Sequence, residues 1–185
     1  NPGPIAPIGL KHLNLKKASQ KLVERAAEDT PDLSREELRE NEKALAEVPF
    51  AHLHNHSQFS VLQSTIRIKD LVAAAARHNM PAVALTDHAN MMGAFHFVRE
   101  VRAHNASLTE EDRAAGKKDL IPILGCEFFV CEDRHNKSVK DYGYQMVMLA
   151  KNKQGYHNLA KMSSIAYTEG FYYVPRIDRE VVEQY

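Results

Sequence analysis

The stretch Ala51-His52-Leu53-His54-Asn55-His56-Ser57 places a histidine at every second position, and its reading decides what kind of sheet the chain builds. In an extended strand alternate side chains share one face, spaced about 7 Å apart, so His52, His54 and His56 form one row of imidazoles. Neutral imidazole is a common metal ligand. A strand-borne His-x-His directs two nitrogen donors at one ion, or at two neighbouring ions, provided further ligands converge from other strands. The alternative is a polar strand end with its histidines in water.

Working outward, Pro81-Ala82-Val83-Ala84-Leu85-Thr86 is a short apolar run that reads as a buried strand closing on Asp87-His88. A third run, Leu120-Ile121-Pro122-Ile123-Leu124-Gly125-Cys126, ends in the same way at Glu127. Strands ending in His, Asp-His and Glu form a pattern, because functional side chains of parallel α/β barrels collect at the carboxyl ends of strands. Between them, residues 68–80 carry Ile68, Leu71, Val72, Ala75 and Ala76 at helical spacing. Asn90 is an N-cap candidate for a helix over 91–102 with Met92, Phe95, Val98 and Val101 apolar. Residues 144–150 alternate into another strand, and Leu159, Met162 and Ile165 mark a helix after it. Strand-helix repetition predicts parallel strands joined by right-handed crossovers. The expected architecture is α/β, the opening portion of a barrel or of a doubly wound sheet.

Three groups of residues carry a family resemblance. They are Phe50 through Ser60 with the histidine row, then Leu85-Thr86-Asp87-His88-Ala89-Asn90 with Gly93, then Gly125-Cys126-Glu127. Together they resemble the N-terminal polymerase-and-histidinol-phosphatase (PHP) domain of bacterial DNA polymerase III alpha subunits. Leu149-Ala150-Lys151-Asn152, Gly155-Tyr156-His157-Asn158-Leu159 and the run from Glu169 to Asp178 are similar to the replicative polymerases rather than to small PHP phosphatases. The resemblance covers residues 49–185. It implies a distorted seven-stranded (β/α) barrel holding up to three divalent ions, with His54, His56, His88 and Glu127 at ligand positions and His52 and Asp87 supporting them. The strands that bring the last Asp-x-His ligands lie beyond Tyr185, so 50–185 reads as an incomplete domain.

Two family positions depart from the pattern. Where metal-competent relatives carry an acidic residue this chain has Gln63, and where they carry a histidine leading into the fourth strand it has Gln145. A carboxylate offsets cationic charge and imidazole is a good nitrogen donor, whereas a glutamine amide is neutral with a weak carbonyl oxygen. The expected site is therefore degraded. It holds one divalent ion (zinc, manganese or magnesium) at partial occupancy, or none, in which case the donors form a hydrogen-bonded cluster. The resemblance thus implies a structural module of a replicative DNA-directed DNA polymerase, a nucleotidyltransferase whose own magnesium would serve a domain absent here. The rival is an active metal-dependent phosphoesterase or 3′–5′ exonuclease, for proofreading or pyrophosphate hydrolysis.

Composition adds limits. Lys plus Arg equals Asp plus Glu at 24 each, so nothing advertises a nucleic-acid surface, and DNA contacts are expected in other domains. Lys151, Lys153, Lys161, Arg176 and Arg179 read as a solvated face. Cys126 and Cys131 are an odd number of residues apart, which sets them on opposite faces of an extended segment and disfavours a shared disulfide or zinc site. With no signal peptide or long apolar stretch, a reduced cytoplasmic protein without membrane contact is expected. Residues 1–49 read as a helical connector: a helix near 15–27, a break at Asp29-Thr30-Pro31-Asp32, then a helix through about Glu47 opened by the Ser34/Glu37 capping box. Such an extension suggests a proofreading exonuclease domain upstream in the same chain, with replisome subunits as further partners. Residues 104–119 read as a solvated loop, in preference to a short turn begun at Thr109 and ended by Gly116.

Overall fold

A computed structural model describes residues 34–185, and the chain divides between Val48 and Pro49 into two units. In the first, α1 (Arg35–Glu47) opens with the predicted capping box: Ser34 N–H donates to Glu37 Oε2 at 2.8 Å and Glu37 N–H to Ser34 Oγ at 3.2 Å. The helix expected near 15–27 lies outside the described residues.

The second unit is a mixed α/β sheet with helices. The short run at 81–86 forms β1 (Ala82–Leu85), preceded by α2 (Ile68–Arg77), whose buried Ile68, Leu71, Val72 and Ala75 make the predicted stripe. This helix stops short of Met80 because Asn79 turns left-handed at φ 51°, and the Met80 N–H closes back on the Ala75 carbonyl at 3.0 Å. After β1 comes α3 (Ala94–Ser107). It begins at Gly93 rather than Asn90, and buries Ala94, Phe97 and Val101 while Met92 and Phe95 stand exposed. The expected apolar face is thus rotated. A side chain at Gly93 would meet Asp87 Oδ2 and Leu85 Cδ2 at 2.9 Å, so the helix seats its backbone against β1 there and this contact fixes which face turns inward.

Residues 104–119 do contain the short turn: α4 (Glu110–Ala114) is capped reciprocally by Thr109 and Asp112, and Gly116 leaves it at φ +89°. The loop reading is corrected, because the capping box satisfies the free amides of even one turn.

β2 (Ile121–Val130) is the central strand. Its first half pairs parallel with β1, Ala82 opposite Ile121 through Leu85 opposite Leu124. Its second half pairs with β3 (Tyr144–Leu149), and that pairing is antiparallel. The all-parallel expectation is corrected here. A crossover helix is what returns a chain parallel, and 131–143 holds none. Then follow α5 (Lys153–Thr168), β4 (Arg176–Ile177) parallel to the end of β2, and α6 (Arg179–Gln184), N-capped by Asp178. The sheet is not closed. Among the described residues β3 pairs with β2 alone, and Tyr144, Met146, Val147 and Leu149 are exposed.

Two apolar cores result. One joins α2, β1 and α3 around Val83, Leu85, Phe97 and Val101. The other joins β2, α5, β4 and α6 around Cys126, Phe128, Leu159, Met162 and Ile177. Both cysteines are free and buried.

Beside the second core lies an arginine knot. Arg176 has no exposure, which corrects its assignment to a solvated face. Its guanidinium donates to the carbonyls of Gly170, Asp141, Arg134 and Asn136 at 2.9–3.1 Å. Arg134, also buried, donates from Nη1 to both oxygens of Asp178 at 2.9 Å, to Glu180 at 2.7 Å, and from Nε to Glu169 at 3.1 Å. The knot ties 131–143 to the start of α6 without any regular structure in that segment.

Candidate metal centre

Residues 52–57 are extended beside β1 but are not a regular strand. Two backbone bonds hold them there, Ala84 N–H to the His52 carbonyl and Thr86 N–H to the Asn55 carbonyl, at 2.9 and 2.8 Å. The expected row of three is therefore broken, where a regular strand would keep all three on one face. His54 and His56 turn their Nε2 atoms to one point, 3.2 Å from each other. His52 does not join them; its ring lies edge-on against Phe50 at 4.8 Å.

The fixed member is Glu127. It sits in the middle of β2 rather than at its end, since Phe128, Phe129 and Val130 continue the strand. Alternation sends Cys126 and Phe128 into the second core and Glu127 to the opposite face. The chain after β1 runs along the same edge: Glu127 N–H donates to the Asp87 carbonyl and Ala89 N–H to the Glu127 carbonyl, at 3.0 and 2.8 Å. His88 is thereby set directly beside Glu127. Ala89 then turns left-handed at φ 49°, and its carbonyl is taken by Ser163 Oγ of α5 at 2.7 Å.

One oxygen, Glu127 Oε2, faces all three imidazoles: His56 Nε2 at 2.6 Å, His54 Nε2 at 3.0 Å and His88 Nδ1 at 3.5 Å. Exposure rises from 5% for the Glu127 side chain through 9% for His88 and 22% for His56 to 51% for His54. The centre is therefore a carboxylate floor with imidazoles rising to solvent. The His88 ring lies 4.1 Å from that of His56 and stacks on Phe129 at 5.6 Å.

Protons alone do not satisfy this arrangement. Burial pushes the Glu127 carboxyl up, but hydrogen bonds from His54 and His56 and the charge of His88 outweigh it and hold the group below its ordinary value. With Glu127 ionised, both Nε2 atoms can donate to its single oxygen Oε2, and no hydrogen is then left for their own 3.2 Å contact. His88 Nδ1 is buried with no hydrogen-bond partner among the described residues, and burial followed by the neighbouring His56 pushes the His88 imidazole down. A cation suits the arrangement better, because it would take one lone pair from each of His54 Nε2, His56 Nε2 and Glu127 Oε2 at a single point. Zinc–nitrogen bonds of about 2.0–2.1 Å in a tetrahedron set nitrogens about 3.3 Å apart. The triangle of His54, His56 and Glu127, with edges of 3.2, 3.0 and 2.6 Å, approximates one face of such a shell, and these three form the group able to hold an ion. Cys126, below, is no ligand: burial and then Asp87 push its thiol far up.

Asp87 is not in that group: its carboxylate accepts from Ser57 N–H, Ser57 Oγ and Ser60 Oγ, and Ser60 Oγ accepts from the His88 N–H. Gln145 pairs with Phe129 two residues along from the Glu127–Val147 pair, so it shares the sheet face of Glu127 but is exposed. Gln63 is exposed on the turn that follows buried Ser60, its N–H bonded to the Ser60 carbonyl at 3.0 Å. Sequence reasoning missed Ser57, Ser60, Thr86 and Phe129. The one available signal was a threonine and an aspartate, both able to hydrogen-bond a neighbouring backbone, directly before His88.

A mixed sheet, a histidine row along β1 and a carboxylate at mid-β2 define a class. The chain belongs to the PHP domain family, whose model matches residues 52–185. Across that segment it is homologous to DNA polymerase III alpha subunits. It is 41% identical over 137 residues to that of Chlamydia muridarum (strain MoPn / Nigg), covering 72% of this chain and 10% of that protein. To that of Borreliella burgdorferi it is 39% identical over 140 residues, covering 74% and 11%. For Aquifex aeolicus the figures are 36% over 145 residues, 74% and 11%. The chain thus spans about a tenth of the length of the curated relatives it matches. No helix among the described residues is long and apolar enough to cross a membrane.

Proposed function

We propose that this chain is the PHP portion of a replicative DNA polymerase III alpha subunit, serving there as a structural module with a reduced metal site. The observation that carries the reading is the pairing of an intact donor triangle, His54, His56 and Glu127, with neutral amides at Gln63 and Gln145, the two family positions that should complete the shell. His88 is the fourth donor. A divalent ion held here supplies Lewis acidity and charge neutralisation; the residues themselves bind it, orient it and, through Phe129, shield it from one side. Three or four donors keep one ion, not a multinuclear cluster.

The same reading makes the sheet the opening part of a seven-stranded barrel. Residues 1–49 become a connector after an upstream exonuclease domain, and replisome subunits, DNA contacted through other domains, and the cytoplasm complete the setting. Polymerisation would use magnesium elsewhere in the parent.

The test uses the full-length protein. Primer extension in magnesium is expected to survive Glu127→Gln, with less than one zinc or manganese bound per chain. Stoichiometric metal together with a 3′-end hydrolysis abolished by Glu127→Gln would instead establish the active phosphoesterase or exonuclease.

A further inference from the structure

The histidine segment 52–57 carries ligands without a full strand ladder to hold it. Where the ladder stops, side chains of the adjoining segment continue it. Asn55 N–H donates to Thr86 Oγ1 at 2.9 Å and Ser57 N–H donates to Asp87 Oδ1 at 2.6 Å. Asp87 does more than replace one rung. Its Oδ1 also accepts from Ser60 Oγ at 2.7 Å and its Oδ2 from Ser57 Oγ at 2.8 Å. Ser60 Oγ in turn accepts the His88 N–H at 3.0 Å. The carboxylate is 2% exposed and is confined from behind by Gly93, where any Cβ would stand 2.9 Å from Oδ2.

We propose that Asp87 is the positioning residue of the metal centre: its caged carboxylate ties the His54–His56 segment, the 57–60 turn and the His88 backbone into one rigid unit, and does not itself bind the ion. The proposal rests on the metal reading given above. Direct ligation by Asp87 would require releasing three hydrogen bonds in a site closed to solvent, and a buried polar group left without its partners is costly. The role is geometric, so charge is dispensable. An asparagine accepts from Ser57 N–H and Ser60 O–H through Oδ1 and donates from Nδ2 to Ser57 Oγ.

The experiment strips the full chain of metal, titrates zinc against a chromophoric chelator, and follows hydrogen exchange in peptides covering 52–60 and 86–90 of the metal-free samples. Asp87→Ala is expected to speed exchange in both peptides and to weaken zinc binding about 10- to 100-fold, the usual range for outer partners of metal ligands. Asp87→Asn is expected to recover most of both losses. Ser60→Ala, milder and retained as the folded variant if Asp87→Ala does not fold, frees the 86–90 peptide and weakens zinc to a smaller extent. Val101→Ala, a core truncation in α3, lowers stability but leaves zinc affinity unchanged. Unaltered exchange in Asp87→Ala and Ser60→Ala overturns the proposal. So does an asparagine as damaging as the alanine, which would make charge the active property, or a Val101→Ala loss of zinc affinity equal to that of Asp87→Ala. A parent that takes up no zinc overturns the metal reading, and the exchange pattern then decides by itself whether Asp87 orders the histidine segments.

Discussion

The histidine-glutamate centre and the arginine knot are polar clusters that flank the same central strand, and they resolve their electrostatics in opposite ways. In the knot no buried donor lacks a partner among the described residues: Arg176 spends its guanidinium on four carbonyls and Arg134 meets three carboxylates. At the centre, two ring nitrogens share one oxygen and, among the described residues, a third has no hydrogen-bond partner. A buried polar network is stabilising only when it is complete. The knot holds the fold together, whereas the centre costs stability until something binds it.

The largest effect that would break this contrast is at Arg176. Arg176→Met leaves four carbonyls without donors, two of them in buried bonds, and at about 1–3 kcal/mol for each buried unsatisfied group the loss should be at least about 2 kcal/mol, read as a fall in the urea midpoint. Arg176→Lys should rescue little, since an ammonium lacks the planar fork that reaches divergent acceptors. Wild-type stability in either variant would show that the knot is ornamental.

Acid titration of the metal-free protein separates the two clusters next. The His88 imidazole is pushed down in the folded state, first by burial, so its neutral form stabilises the fold above the unfolded value of about 6.5 and that contribution is lost as pH falls below it. Asp178 is raised by burial but more strongly lowered by the backbone and side chain of Arg134, and stays below its ordinary value. Its contribution is present above about pH 4 and disappears only as pH falls further. Stability should therefore decline in two stages. His88→Gln should remove the upper one and Asp178→Asn the lower; a single stage common to both variants would merge the clusters into one.

Completing the centre should then narrow the difference. Gln63→Asp with Gln145→His, in a complete domain, is expected to bind zinc or manganese at least about tenfold tighter than the parent. By linkage this adds about 1.4 kcal/mol to metal-induced stabilisation, a few degrees in thermal midpoint, with either single change giving less. Equal metal-induced shifts in parent and double variant would show that these amides do not stand in for ligands.

The smallest effect marks the edge of the knot. Glu180 bonds Arg134 at 2.7 Å, but its side chain is 74% exposed, and Glu180→Ala should cost under about 1 kcal/mol. A larger loss would mean that the solvent-facing arm carries the cluster.

Much of this was legible in the sequence because it is local. The 81–86 run, the stripe of α2, the Ser34 cap and the His54–His56 alternation each depend on neighbours within a few positions. What escaped depends on distance. Arg134 and Asp178 are 44 residues apart, and nothing in either neighbourhood distinguishes Arg176 from the surface lysines with which it was grouped. The antiparallel turn into β3 was readable in principle, since 131–143 has no helical period, but strand-helix repetition elsewhere outweighed it. The phase of α3 was misread because Met92 and Phe95 are as apolar as the residues that are buried, and only the close seat of Gly93 on Asp87 decides between the faces.

The exposed edge of β3 carries its own consequence. Tyr-Gln-Met-Val-Met-Leu is uncharged, free of proline and glycine, and includes the strand-favouring Tyr144 and Val147, and along one side its amides and carbonyls have no strand beside them among the described residues. Six such residues form the kind of template on which identical chains stack into fibrils. Wherever this segment is handled at high concentration with that edge bare, self-association competes with the native state, and a lysine at Met146 would be the simplest gatekeeper against it.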